Sequence, residues 1–333
     1  MTLIDQIAAT VTAASAAQAA AARAHVARGL APGETLGAIG ELAARLAGAR
    51  HAPRPRVERA VVLIAAADHG VVASGVDLGE HEPTLVAARQ ICAGTAAINT
   101  LARQVGARVV VVDCGIRGAA RFTTPGLLAF RQGDGTADSA HGPAMTPIDV
   151  VRAFETGVAV AISLADDGLD VLALGHLAIG SQPATAALIA VLAGATPAEV
   201  GAAEDLSLVT RILDANRPDA RAPLEALAAV GGFEIAFLAG AVLAAASINV
   251  PVVLDDHGTA AAALVAARLA PAAASSVIAA HGGSIPAHRV ALAALGLTPL
   301  FDLGLSSGEG AGAALLLPFV RAAAELLSSA GVD

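Results

Sequence analysis

Apolar runs that do not alternate with polar residues recur along the chain, each ending on a charged or glycine-rich step. The first is VVLIAAA at 61–67, closed by Asp68-His69-Gly70. ARVVVV at 107–112 closes on Asp113, LDVLAL at 169–174 on Gly175-His176, and VPVVL at 250–254 on Asp255-Asp256-His257. A further run at 276–280 closes on His281-Gly282-Gly283-Ser284, and 298–303 leads to Gly308-Glu309-Gly310. Continuous rather than alternating hydrophobicity predicts strands buried on both faces, as in a parallel sheet.

Between these runs the apolar spacing changes toward i, i+3/i+4, i+7, which predicts helices. They fall at 7–29, 36–46, 84–105, from 146 onward with Pro147 in the first turn, and at 184–193, 204–216 and 223–230. A long apolar helix follows Gly231-Gly232-Phe233-Glu234, and others are expected at 259–269, 286–295 and 311–329. Residues 118–146, polar and glycine-rich, read as an irregular excursion over the surface. Six strands alternating with helices predict an α/β fold, a doubly wound, mostly parallel sheet with helices on both faces. The polar steps all lie at the carboxyl ends of the strands, the edge where open parallel sheets bind ligands.

Composition narrows this picture. The 333 residues are 56% hydrophobic and 15% charged, with alanine prominent. The run at 235–250 contains Ser247 and Asn249 and falls short of the roughly 20 apolar residues of a spanning helix. It reads as a buried helix feeding a buried strand. Residues 1–22 lack the pattern of a secretory signal, so a cytoplasmic location is expected. A net charge of −9 and a 2% aromatic content without Trp or Tyr argue against nucleic acid or an anionic membrane as partner. Cys92 and Cys114 sit in apolar surroundings without CxxC spacing and are expected to pack in a core.

Candidate chemistry gathers at Glu309. Glycines on both sides let backbone approach a ligand and permit positive φ, and the helix expected next offers free N–H groups to an anion. A carboxylate there suits a general base; the alternative is a plain strand-to-helix turn. His69, His81, His176, His257, His281 and His288, with Asp68, Asp255 and Asp256, raise the possibility of a metallohydrolase. No HxH, HExxH or CxxC spacing supports it. Neither a GxGxxG after the first strand nor a GxxxxGK[ST] is present, which disfavours a nicotinamide dehydrogenase or an ATP-using enzyme.

The segments resemble, in order, those of the nicotinate-nucleotide:dimethylbenzimidazole phosphoribosyltransferase family, which makes the lower-ligand nucleotide of cobamides. APGETLG at 31–37 is similar to the family's PGSLG segment, and ADHGV at 67–71 with SGV at 74–76 to its GDHGV…GV element. GTAAIN at 94–99, LARQ at 101–104 and VDCG at 112–115 match its GGAAIN–LARQ–VDVG run. VGGFEI at 230–235 with AGA at 239–241 is nearly identical to its GGFEIA–AGA, and LGLSSGEGAG at 303–312 completes the order.

The resemblance implies a six-stranded parallel sheet plus a small helical domain built from the chain termini, assembled as a homodimer. It places the small domain at 1–52 with 312–333 contributing, and the α/β catalytic domain at 53–311. It implies transfer of 5-phosphoribose from nicotinate mononucleotide to a benzimidazole nitrogen with inversion at C1′, without metal or cofactor. It makes Glu309 the catalytic residue, and Asp68, His69, Gly175, His176, Gly180, Ser181, Arg211, Glu234, Asp255, His281, Ser284, Gly308 and Gly310 substrate-binding.

Departures from the family pattern concentrate in the loops that would touch substrate. The GEMGIGNTT loop is here Gly175-His176-Leu-Ala-Ile-Gly180-Ser181-Gln182-Pro183, so His176 replaces a Glu and Pro183 removes one N–H donor. Ala203-Glu204-Asp205 replaces a GTG loop, Arg211 a Lys, an apolar residue near Val86 a Gln, and Asp255-Asp256-His257 an Asp-Gly-Phe-like segment. Three readings stay open from the sequence: an active enzyme with altered acceptor or donor, the standard dimethylbenzimidazole enzyme, and a non-catalytic ligand-binding or regulatory paralogue.

Overall fold

The computed structural model describes residues 2–76 and 83–328, so His81 and the end of the chain lie outside the described residues. Its centre is a six-stranded sheet of β1 (Ala60–Ala67), β2 (Arg108–Gly115), β3 (Leu127–Ala129), β4 (Val171–Leu177), β5 (Val252–Leu254) and β6 (Val277–Ala279). The strands run in the order β3-β2-β1-β4-β5-β6, and every pairing is parallel. The chain winds outward from β1 in one direction and, after returning at β4, in the other. Such a reversal of winding opens a crevice at the carboxyl ends of the two central strands.

Fourteen helices flank or extend the sheet among the described residues. They are α1 (Leu3–Thr10), α2 (Ala16–Arg28), α3 (Gly37–Ala49), α4 (Pro83–Cys92), α5 (Ala97–Gln104), α6 (Pro147–Asp166) and α7 (Gln182–Ala193). The rest are α8 (Pro197–Val200), α9 (Leu206–Asn216), α10 (Pro223–Val230), α11 (Phe233–Ser247), α12 (His257–Leu269), α13 (Pro286–Ala294) and α14 (Ala311–Ser328).

All eight residues of β1 are buried, and successive side chains go to opposite faces as strand geometry requires. Val61, Leu63 and Ala65 join the apolar cluster containing α6 and α11. Val62, Ile64 and Ala66 join the one containing α14 and the buried face of α3. This is why the run carries no polar alternation: both sides of the strand are interior. By length and composition α14 could cross a membrane, but Leu316, Leu317 and Val320 pack in the same cluster as Leu42, Leu46 and Ile64. It is a core helix, as are α7 and α11.

Four sequence expectations need correction, the first being that the helix expected over 7–29 is instead α1 and α2, with residues 11–15 non-helical between them. The helix expected over 84–105 is two helices, because Gly94 adopts φ +77 and ends the first. Asn99 then secures the break, its side-chain oxygen accepting from the Ala96 N–H and its amide donating to the Ile91 carbonyl. The strand expected at 298–303 forms only an isolated bridge between His281 and Phe301, since Pro299 lacks a donor and Gly304 turns the chain away at φ +65. The sixth strand is instead β3, inside the segment expected to be irregular, pairing Val111–Asp113 with Leu127–Ala129 at the sheet edge. Its three residues are part-buried or exposed, so hydrophobic patterning carries almost no sign of it.

Candidate active site

Glu309 sits on a turn pressed against the end of β4. Its φ is +24 and that of Gly310 is +84, and the glycines are needed for contact as well as for conformation. A Cβ on Gly175 would lie 2.8 Å from the Glu309 carbonyl carbon, and one on Gly308 2.8 Å from both the His176 carbonyl oxygen and Asp256 Oδ2. The turn is then tied down: the Glu309 N–H donates to the His176 carbonyl at 3.2 Å. Asp255, buried at the end of β5, accepts from the Gly310 and Ala313 N–H groups at 2.9 and 3.0 Å. It thereby caps the start of α14, where a carboxylate also meets the positive end of the helix dipole. Burial raises the Asp255 carboxyl to about 6 and pushes the half-buried Glu309 carboxyl up as well.

Behind this turn runs a buried chain of ionisable groups. Glu234, in the first turn of α11, takes His69 Nε2 at 2.8 Å and His176 Nε2 at 3.2 Å on one oxygen. The other ring nitrogen of His176 lies 3.1 Å from Asp256 Oδ2, while Asp256 Oδ1 accepts the Thr259 N–H and caps α12. Two more glycines make room, since a Cβ on Gly232 would lie 2.4 Å from His69 Nε2 and one on Gly258 2.3 Å from the His176 ring. Burial alone would neutralise His176, but the carboxylates of Asp256 and Glu234 outweigh it and hold the imidazole up to about 10. Burial likewise opposes ionisation of both carboxylates, and their histidine partners overcome it: His69 and His176 hold Glu234 low, and His176 and His257 hold Asp256 low. His257 and His288 have no such close pairing, and burial depresses each to about 4.

A cavity of roughly 360 Å³ opens in front of this chain at the carboxyl edge of the sheet. Glu309, Gly308, His176, Gly180, Ser181, His281 and Ser284 line it, so seven of the residues singled out in the sequence converge there. Gly180 and Ser181 bring the start of α7 to the wall, with Gly180 at φ +85. Pro183 leaves one fewer N–H in that first turn, and the Gln182 side chain is turned to Asp205 at 2.9 Å.

Other expected residues stand elsewhere. Gly175, Gly310, Asp255, Glu234 and His69 form the layer behind the cavity rather than its lining. Asp68 is held at the end of β1, accepting the Arg117 N–H at 2.7 Å. Arg211 is not brought to the cavity; its guanidinium donates to the Ser74 carbonyl at 2.7 Å and ties α9 to the loop after β1. Conversely, Asp256, His257 and His288 line the cavity, though the sequence raised them only as candidate metal ligands and not among the substrate-binding residues. For Asp256 and His257 the signal was their place directly after β5. Among the described residues, no group of three or more His, Cys, Asp or Glu is arranged to hold a metal ion. Both cysteines are free thiols, with Cys114 buried.

Residues 11–332 match the family model described as a phosphoribosyltransferase. The nicotinate-nucleotide–dimethylbenzimidazole phosphoribosyltransferase of Roseiflexus sp. (strain RS-1) is 40% identical over 98% of this chain and 95% of its own length. That of Halalkalibacterium halodurans is 38% identical over 87% of this chain and 83% of its own. Among solved structures, the nicotinate-nucleotide-dimethylbenzimidazole phosphoribosyltransferase from Thermus thermophilus superposes with a TM-score of 0.89 at 40% identity, covering 95% of this chain and 97% of that one. A structure of CobT from the same organism gives 0.86 at 37% identity, covering 94% of this chain and 96% of that one. With the ordered motifs, the sheet order and these matches along nearly its whole length, the chain belongs to the nicotinate-nucleotide–dimethylbenzimidazole phosphoribosyltransferase family.

Proposed function

We propose that this protein transfers 5-phosphoribose from nicotinate mononucleotide to a ring nitrogen of 5,6-dimethylbenzimidazole or a related base, with Glu309 as the general base. The observation that carries the assignment of the base is the Glu309 turn, whose backbone is held by the His176 carbonyl and whose residue lines the cavity. In the reaction the acceptor nitrogen bonds to C1′ while the C1′–N bond to the pyridinium breaks. The bonding pair returns to nicotinate, which leaves as a stable species and needs no acid. The acceptor N–H proton passes to Glu309, whose raised proton affinity brings it closer to the working range of a base at neutral pH. Positive charge that develops on the ribose is favoured by the carboxylates of Glu309, Asp255 and Asp256.

The 5′-phosphate is assigned to the start of α7, which Gly180 brings to the cavity wall and where the helix dipole favours an anion. Homodimeric assembly, a cytoplasmic location and a small domain at 1–52 with 312–333 belong to the same reading; sedimentation tests the first. The decisive experiment measures nicotinate release from its mononucleotide against a panel of azole and phenolic acceptors, with wild type beside Glu309→Gln. Release that depends on acceptor, and falls by roughly 10²–10⁴-fold in the variant, is expected for loss of a general base. A variant at full rate removes Glu309 from that role.

A further inference from the structure

A second cavity, of roughly 550 Å³, lies between α2, α3 and the edge strand β6, and it shares no lining residue with the catalytic one. Much of its lining is apolar core: Leu42 and Ala44 from α3, Ile278 and Ala279 from β6, with Leu300 beside them. The segment between α1 and α2 closes one side. There the Ala14 N–H donates to Ser275 Oγ at 2.8 Å, and the Ser15 N–H to the Gly48 carbonyl at 2.9 Å. A cavity of this size, mostly apolar with a few polar groups, has the make-up of a small-ligand site.

One charged group in that lining has no answer within the protein. Arg45 of α3 lines the cavity and is part-buried, and of its fork of N–H donors only Nη2 finds a partner among the described residues, the Ala274 carbonyl at 3.3 Å. Its Nε is buried without a partner. No described carboxylate pairs with the guanidinium, and burial alone pushes it down. Glu41, one turn earlier on the same helix, is already committed: its two oxygens take Arg23 at 2.7 to 3.0 Å, in an ion pair exposed at the rim. The serine hydroxyls are likewise engaged with backbone, Ser15 Oγ accepting the Gln18 N–H and Ser275 Oγ donating to the Ala272 carbonyl. An unpaired, partly desolvated guanidinium costs stability, so its place in a cavity wall points to an anion supplied from outside the chain.

The lining selects the class of that anion. Arg23 and Glu41 cancel, which leaves a single positive charge in the cavity of a chain whose net charge is −9. A phosphate dianion calls for a second free cation, and Arg23 is spent on Glu41. The planar fork of one guanidinium matches a carboxylate, which it can hold by two parallel hydrogen bonds. The apolar walls call for an apolar body attached to that carboxylate. We propose that this cavity is a second ligand site, which takes a small monocarboxylate with an apolar ring or chain and seats its carboxylate on Arg45. The site stands apart from the phosphoribosyl chemistry and does not depend on that reading.

Calorimetry on the full chain tests the site with benzoate and hexanoate, each beside its neutral amide. The wild type is expected to bind at least one carboxylate roughly tenfold or more tightly than the matching amide, since the guanidinium rewards the charged partner alone. In Arg45→Gln that preference is expected to shrink to within about twofold, and Arg45→Lys, which keeps the charge but loses the fork, should fall between. Nicotinate release by Arg45→Gln should match that of the wild type, and its ligand-free thermal midpoint should not fall. No carboxylate preference in the wild type, or the same preference in Arg45→Gln, overturns the site. A markedly lower midpoint or a dissociated assembly in ligand-free Arg45→Gln overturns it as well, by showing that the guanidinium serves the fold or a second copy of the chain.

Discussion

At the scale of single residues, His176 has the most consequence after Glu309. It is the cation between Glu234 and Asp256, and its carbonyl holds the Glu309 N–H. Replacing it with Phe leaves two buried carboxylates without their shared partner. We expect a loss of about 3–5 kcal/mol in folding stability, the range for breaking a buried ion pair, read by urea denaturation; a loss below ~1 kcal/mol would show that water replaces the imidazolium. Gly175→Ala tests the turn instead. The added methyl would meet the Glu309 backbone at 2.8 Å, so nicotinate release should fall by roughly tenfold or more, as small misplacements of catalytic groups do. Stability should change by about 1–3 kcal/mol. In the sequence, Gly175 and His176 are visible as a strand-end step, and Glu309 as a carboxylate among glycines. What spacing does not reveal is that Glu234, far away in the chain, shares one oxygen between two histidines.

At the scale of elements, the strands and helices buried on all sides were the most legible. β1, β4 and α11 read directly as continuous apolar runs because every face meets protein, and α6 announced its start through Thr146, Pro147 and Asp149. The boundary at Gly94 and the edge strand β3 were not legible, because each depends on one or two backbone conformations or on pairing with a distant strand. The crossing of α6 and α11 shows the same limit. A Cβ on Gly157 would lie 1.8 Å from the Phe237 carbonyl oxygen, and one on Gly240 2.0 Å from that of Phe154. The two helices therefore touch backbone to backbone at a pair of glycines that look ordinary in sequence. Gly157→Ala should force them apart and lower stability by about 1–3 kcal/mol or more, with a matching drop in the thermal midpoint; an unchanged midpoint would mean that the contact is looser than its geometry.

For the molecule as a whole, the buried histidines set opposing pH limits. His257 and His288 are depressed from 6.5 to about 4, so below pH 6.5 the unfolded chain takes up protons that the folded one refuses. Their effect is to lower stability as pH falls through that window. His176 is raised from 6.5 to about 10, so the folded chain keeps a proton that the unfolded one releases. Its stabilisation is full below pH 6.5 and is lost as pH rises toward 10. The denaturation midpoint should therefore peak near neutrality when measured at about pH 5, 7 and 9, and His176→Gln should flatten the alkaline limb. A midpoint that climbs steadily across the range would contradict the assignment of His176 as a cation.

The linear chain by itself determined which segments must be interior, that the strands are parallel, and that chemistry gathers at their carboxyl ends. Each of those follows from local pattern: apolar runs need two covered faces, and glycine or acidic steps end them. The order of motifs also carried the family resemblance, including the place of Glu309. Only the tertiary structure decided which strand-end groups meet. It placed Asp255 beneath the start of α14, turned Arg211 away to a loop carbonyl, and brought His257, His281 and His288 to one cavity. Those outcomes depend on the sheet order β3-β2-β1-β4-β5-β6 and on close approaches that only glycines allow. Both are relations between residues distant in the chain, which no local pattern encodes.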